Sequence, residues 1–116
     1  MNEQKRKAAV LENCLAKPAT LTELIDYADD SIVSKAIIDK PVGTITLFAF
    51  DKGQGLSEHT APYDAVVQAL DGRADLTIGG KLTNVSAGQL IIMPANIPHA
   101  VAANGRFKML LTMIRA

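Results

Sequence analysis

From residue 31 onward, short apolar and β-branched stretches alternate with Gly, Asp or Asn, and this pattern constrains the fold more than any other feature of the sequence. Such spacing is typical of many short β-strands. Strands are predicted near residues 32–38, 44–50, 56–60, 65–70, 74–78, 81–85, 90–93, 100–102 and 107–114. Nine strands in about eighty-five residues leave no room for the crossover helices of a parallel sheet. The sequence therefore predicts an all-β fold, an antiparallel β-barrel or jelly roll.

Three dipeptides between these stretches predict hairpin turns. They are Asp71-Gly72, Gly79-Gly80 and Asn104-Gly105. A two-residue hairpin needs positive φ angles, which Gly, Asn and Asp adopt more readily than other residues. We therefore expect each dipeptide to join two strands that pair with each other.

The N-terminal quarter has a helical pattern instead. Four residues recur at three- and four-residue spacing: Ala8, Leu11, Cys14 and Leu15. They predict a helix that begins near residue 4 and ends before Pro18, with a loosely held terminus over residues 1–17 as the alternative. Residues 20–23 have the form of a capping box that starts a second, short helix. We accordingly divide the chain into a helical segment, residues 1–30, packed on or beside a barrel domain, residues 31–116.

Composition excludes several classes of function. Twelve basic residues balance twelve acidic ones, so no positive field favours nucleic acid. With 48% hydrophobic and 21% charged residues the chain has an ordinary globular composition, and no membrane span is expected. A single cysteine indicates a reducing compartment, the cytoplasm. The apolar run after Lys5-Arg6-Lys7 ends after four residues and is too short for a signal peptide.

The strands predicted at 44–50 and 107–114 are apolar on both faces, which is unusual for an antiparallel sheet with one solvated side. Their outer faces need a cover, either the N-terminal segment or a second subunit. We expect a homodimer that buries Phe50, Leu110 and Ile114, because monomers avoid a contiguous apolar patch.

Residues 88–99 form a glycine turn, an apolar strand and a proline-containing bend that ends in a histidine. This stretch resembles the second sequence motif of the cupin family, in which Gly, Pro, Gly and a metal-binding His follow one another at fixed spacing. The corresponding residues here are Gly88, Pro94, Asn96 and His99. Asn replaces the family's second glycine, and Asn also tolerates the left-handed conformation.

Residues 55–72 are similar to the first cupin motif, which contains two histidines, a glutamate and a closing glycine. Aligned on Gly72, His59 matches the first histidine, whereas Ala61 and Ala65 stand where the family has its second histidine and its glutamate. The resemblance implies a small antiparallel barrel, commonly dimeric, with two of the family's four metal ligands missing.

Our first hypothesis is a binding module without a required cofactor. His59 and His99 are expected to converge in the barrel and to act as polar anchors for a small organic ligand. Small and apolar residues would line the pocket: Ala61, Ala65, Val67 and Ile92. Tyr63, at the start of a strand, would stack on the ligand or pack at the barrel rim.

Three alternatives stay open. The two histidines could instead hold a divalent metal ion in a cupin enzyme of oxygenase or isomerase type, with Asp64 as the third ligand, since catalytic metals usually take three protein ligands. They could form a hydrogen-bonded neutral pair with no ion. The protein could also be a structural or regulatory dimer with no ligand.

Overall fold

The computed structural model describes residues 10–115 and contains nine strands within that range. They are β1 (Ile32–Lys40), β2 (Gly43–Phe50), β3 (Gly55–His59), β4 (Ala65–Asp71), β5 (Arg73–Ile78), β6 (Lys81–Ser86), β7 (Leu90–Met93), β8 (His99–Ala102) and β9 (Phe107–Ile114). Every predicted strand is present, with bounds that differ from the prediction by two residues at most. The predicted all-β antiparallel fold is confirmed.

The strands form two antiparallel sheets that pack face to face. The five-stranded sheet has the order β1-β2-β9-β4-β7, and the four-stranded sheet has the order β3-β8-β5-β6. Strands that follow one another along the chain often lie in different sheets, so the chain repeatedly crosses between the two. This is the jelly-roll arrangement.

Only one of the three predicted hairpins is a hairpin. Gly79-Gly80 joins β5 to β6, whose last ladder pair is Ile78 with Lys81. The other two predictions are wrong, because Asp71-Gly72 and Asn104-Gly105 lead from one sheet to the other. Gly72 still has a positive φ of 71°. A positive φ therefore occurs in a connection between the two sheets as well as in a hairpin. The dipeptide alone does not distinguish these two kinds of connection.

The barrel core lies between the inner faces of the two sheets. On β9 the inward residues are Phe107, Met109, Leu111 and Met113. Phe50 from β2 joins them and is 0% exposed. The expectation that Phe50 needs a partner subunit is wrong, because its side chain points into the barrel and contacts the Phe107 ring.

The N-terminal segment contains turns rather than helices. Within the described residues it has two short 3₁₀ turns, Glu12–Cys14 and Leu21–Glu23, and Thr20 makes no side-chain capping bond. The predicted helices and capping box are therefore wrong over these residues, and the part of the first helix around Ala8 lies outside them. No helical segment in residues 10–115 has the length and hydropathy needed to cross a membrane.

Tertiary contacts hold this segment in place of helical hydrogen bonds. Ile25 is buried against Leu47 and Ala49 on the outer face of the five-stranded sheet. Two lysine ammonium groups of that sheet donate to carbonyl oxygens of the N-terminal segment, Lys108 to Thr22 and Lys35 to Leu24, each at 2.7 Å. The segment thereby covers half of the outer face, including part of Leu110, which was expected to need a second subunit.

Candidate functional site

His59 and His99 are directly opposed residues in the β3–β8 ladder. A β-bulge makes this possible, since His59 comes three positions after Leu56, whereas its partner His99 comes only two positions before Val101, the partner of Leu56. In a regular strand without the bulge, a residue three positions after Leu56 would lie on the opposite face. The bulge therefore turns both imidazoles to the same face, at one end of the barrel.

The two rings are in contact but differ in exposure. Their Nε2 atoms are 3.2 Å apart and the rings meet edge to face. His99 is 3% exposed, whereas His59 is exposed. At this end of the barrel, the barrel mouth, the imidazole of His99 is therefore buried in the protein and that of His59 faces solvent.

Hydrogen bonding assigns the tautomers. The Nδ1 atom of His59 lies 2.7 Å from the carbonyl oxygen of Ser57, and Nδ1 of His99 lies 3.1 Å from that of Ile97. A carbonyl oxygen only accepts, so each Nδ1 carries a proton and donates it. In two neutral rings both Nε2 atoms are then unprotonated. Their lone pairs converge. The two Nδ1–carbonyl bonds and the contact between the Nε2 atoms would need three protons, and two neutral rings carry only two.

The ionisation of His99 follows from its position. Burial lowers its pKa because desolvation disfavours the imidazolium, and the neighbouring His59 acts in the same direction, while the carbonyl of Ile97 opposes both. The neutral ring is therefore favoured at neutral pH. The proton that the pair lacks is not readily supplied by His99 itself.

Two loops carry the histidines to this position. Residues 60–64 lead from β3 to β4, and residues 94–98 lead from β7 to β8. The loops are bonded to each other, since the amide of Asn96 donates to the Ala61 carbonyl and the amide of Ala95 donates to the Asp64 carboxylate, both at 2.8 Å.

Comparisons with known proteins agree with the antiparallel β-barrel fold. A sequence model of the family described as "Cupin domain" matches residues 46–115, which is more than half of the chain. The chain belongs to the cupin family. No curated protein sequence matches this cupin.

Several solved structures resemble this cupin along most of its length. A conserved protein of unknown function from Streptococcus pyogenes is 37% identical with a TM-score of 0.86, over 92% of this chain and 95% of that one. A cupin superfamily protein from Desulfitobacterium hafniense is 28% identical with a TM-score of 0.83, over 88% and 94% of the two chains. A Cupin 2 conserved barrel domain protein from Leptotrichia buccalis is 41% identical with a TM-score of 0.78, and the match covers 80% of this chain and 45% of that one.

The structure does not bring Asp64 to the histidine pair. Its carboxylate faces the 94–98 loop, where it accepts the Ala95 amide. Within residues 10–115, no three His, Cys, Asp or Glu side chains cluster closely enough to hold a metal ion. The expectation that Asp64 completes a three-ligand set with His59 and His99 is therefore corrected.

Three of the predicted lining residues do not face an open pocket. Ala65 and Val67 point into the barrel but are packed in its core, at 2% and 0% exposure, so no water-sized space adjoins Val67. Ile92 is 54% exposed and points away from the core, because Ile91 and Met93 occupy the inward positions of β7. The uniformly apolar β7 sequence conceals this alternation. These three residues therefore line no open pocket beside the histidine pair.

Tyr63 and Ala61 belong to the loop beside the mouth. Tyr63 lies with Asp64 and Ile114 around a surface depression of about 330 Å³ on the outer side of the five-stranded sheet. Its other lining residues are Pro62, Val66, Ala95 and Thr112. Tyr63 thus occupies a rim position, whereas half-buried Ala61 contributes its carbonyl to the loop contact.

Sequence reasoning missed the two carbonyl groups that orient the imidazoles. Each belongs to the residue two positions before its histidine, Ser57 for His59 and Ile97 for His99. Every residue has a backbone carbonyl, so the residue type does not reveal which carbonyl accepts a hydrogen bond. The repeated spacing becomes informative only after the bulge and the loop conformation are known.

Proposed function

We propose that this cupin is a small-molecule-binding protein that holds an organic ligand at the barrel mouth through His59 and His99. One observation carries the proposal: both Nδ1 atoms donate to carbonyl oxygens, so both Nε2 atoms offer lone pairs 3.2 Å apart. Two acceptors that face each other without a proton are mutually repulsive. A ligand that donates a hydrogen bond between them removes the repulsion.

The same observation selects the chemistry of the ligand. It must present a hydroxyl or protonated amino group, because an acceptor such as a carboxylate would face two more acceptors. Exposed His59 lets a small group reach the pair, while buried His99 shields the contact from water on one side. Hydrogen bonds in such partly desolvated positions discriminate well between donors and acceptors.

Metal binding is the family alternative, and the residues fit it only in part. The 3.2 Å between the Nε2 atoms falls within the range of about 3.0 to 3.4 Å expected for adjacent donor atoms on a divalent ion. Two imidazoles are nevertheless one ligand short of the three that catalytic sites usually have, and residues 10–115 offer no third. We therefore assign no catalytic step to a metal.

Ring resonances of the two histidines test the proposal, because the chain contains only these two. Protein treated with chelator is titrated at pH 8 with ethanolamine and glycerol as donor probes and with acetate as an acceptor-only probe. We expect the donor probes to shift the Nε2 resonances of both rings and acetate to leave them unchanged. The donor probes should also raise the melting temperature, and a His59→Ala/His99→Ala double variant should fold and lose both responses.

Three results would reject the proposal. Identical responses to acetate and ethanolamine would show that the pair is not an acceptor site, and no response to any probe would favour the structural or regulatory dimer. Stoichiometric metal that survives chelation, with a large drop in melting temperature once it is removed, would instead favour the metal-dependent enzyme.

We further propose that this cupin forms a homodimer through the uncovered half of the outer face of the five-stranded sheet. This half, the bare face, contains outward residues of β2, β9, β4 and β7 in continuous register. Its members are Ile45, Thr112, Ile114, Val66, Gln68, Leu90 and Ile92, and none is charged. Ile114, Leu90 and Ile92 are 64%, 57% and 54% exposed.

A second copy is the occupant that best fits the bare face. At ordinary strand spacing the seven outward residues cover roughly 230 Å², a little under a third of the area of about 800 Å² that each partner of a stable dimer buries. In most interfaces a polar rim around the apolar centre supplies the rest of the buried area. A face without charge meets its own copy without like-charge repulsion, and the formal net charge of zero adds none at longer range.

Sedimentation at micromolar concentration tests the dimer. We expect twice the 12.3 kDa chain mass for the wild type and a monomer for Ile114→Lys. Leu82→Lys is the matched control, because Leu82 is 65% exposed on the four-stranded sheet, and it should stay dimeric. A monomeric wild type, or a dimer that Ile114→Lys leaves intact, would refute the assignment.

A further inference from the structure

The loops before β4 and before β8 run side by side from one sheet to the other. Each has five residues, 60–64 and 94–98. At one end they leave the β4–β7 ladder at its terminal pair, Ala65 with Met93, and at the other they meet the β3–β8 ladder at His59 and His99. The distance between the imidazoles therefore depends on how these loops are held together as well as on the β3–β8 pairing.

Asp64 and Ala61 supply the contacts between the loops. Asp64 lies one position before Ala65 and Ala95 lies two positions after Met93, the last β4–β7 ladder pair, so the bond from the Ala95 amide to the Asp64 carboxylate continues the pairing with a side chain. The Ala61 carbonyl accepts the Asn96 amide nearer the histidines. Asn96 has a φ of 65°, the left-handed conformation in which its amide faces the other loop.

We propose that Asp64 is a positioning residue that clamps the 60–64 loop to the 94–98 loop and thereby holds the two Nε2 atoms within reach of one ligand group. The inference rests on the proposed function in one respect, that the pair is the binding site. Its structural part, the control of the imidazole separation, stands on the loop contacts alone.

The chemistry of the contact explains why an aspartate fits this position. The acceptor must lie on a short side chain to reach the backbone N–H of Ala95 in the adjacent loop, and Asp commonly caps backbone amides in this way. Asn keeps an acceptor oxygen at the same distance and should substitute well. Ala removes the acceptor, and Glu carries it one methylene too far.

The experiment compares Asp64→Ala, Asp64→Asn and Asp64→Glu with the wild type, all labelled at histidine. Asp39→Ala is the control, since Asp39 is an exposed aspartate on β1 whose side chain forms no hydrogen bond among the described residues. The first measurement is the nuclear Overhauser effect between ring protons of His59 and His99, whose ring centroids are 4.4 Å apart. The second is the affinity for ethanolamine.

We expect Asp64→Ala to lose the inter-ring effect and to bind ethanolamine about tenfold more weakly, because preorganisation of the pair is lost. Asp64→Asn should retain both properties, and Asp64→Glu should lose part of each. Should Asp64→Ala fail to fold, the contrast between Asp64→Asn and Asp64→Glu decides the question.

An inter-ring effect of wild-type strength in both Asp64→Ala and Asp64→Glu would overturn the inference. An equal loss in Asp39→Ala would overturn it as well, because the effect would then reflect general destabilisation. If the wild type shows the inter-ring effect but binds no ethanolamine, the proposed function fails, and the ring measurement still decides the role of Asp64.

Discussion

His99 is buried and its ladder partner His59 is exposed, although the two rings touch. This asymmetry separates the two histidines energetically. His99 contributes to packing and to the electrostatics of folding, whereas His59 contributes mainly to the surface on which a ligand would rest. Mutations at the two positions should therefore have different costs.

We expect His99→Ala to destabilise the protein by about 2 kcal/mol, because it leaves a cavity in a packed region. His59→Ala should change the unfolding free energy by less than about 0.5 kcal/mol, as exposed substitutions usually do. Urea denaturation of both variants measures the difference. Equal changes in the unfolding free energy of the two variants would show that the contact between the imidazole rings, rather than burial, determines stability here.

The pH dependence of stability should reflect the same asymmetry. Because burial lowers the pKa of His99 in the folded state, the unfolded chain binds this proton more readily. Its contribution is present above the unfolded pKa of about 6.5 and is lost as the pH falls toward the folded value. Denaturation between pH 7.5 and 5 should show decreasing stability in the wild type and in His59→Ala, and a flatter profile in His99→Asn.

Gly72 should be among the least replaceable residues of the barrel. It has a φ of 71°, and an added Cβ would lie 2.0 Å from the Arg106 carbonyl oxygen, where the two sheet crossings meet. We expect Gly72→Ala to cost about 3 kcal/mol or more through the clash and the backbone strain together. Gly88 has a φ of 90° with open space around it, so Gly88→Ala should cost only about 1 kcal/mol. Thermal or urea denaturation of the two variants separates steric from conformational cost.

Ile25 should secure the N-terminal segment to the sheet. It is 3% exposed against Leu47 and Ala49, so Ile25→Ala should cost about 2 to 4 kcal/mol. Leu15→Ala, at a residue 60% exposed, is the control and should have an effect below about 0.5 kcal/mol. Hydrogen exchange should show the loss of protection first at the Leu24 and Leu11 amides, which bond within the segment and to β1. Loss spread evenly over all strands would contradict a locally held segment.

The strands were predictable because their signal is local. β-Branched and apolar residues between glycine and aspartate turns favour extended backbone wherever the strand ends up in space. The same argument explains the failures. In Asp71-Gly72 the sequence specifies a backbone angle, but whether the next strand pairs with the previous one depends on the packing of two sheets, which no dipeptide contains.

The candidate site shows the same division. The sequence by itself determined that His59 and His99 are the two imidazoles available. It also placed His59 in a predicted strand and His99 at the end of a proline-containing bend. Only the tertiary structure decided that a bulge turns His59 inward, that Ile92 faces outward, and that Asp64 bonds to Ala95 instead of approaching the pair. These outcomes depend on register and on contacts between residues far apart in the chain, and a one-residue shift reverses the face of a strand without changing its composition.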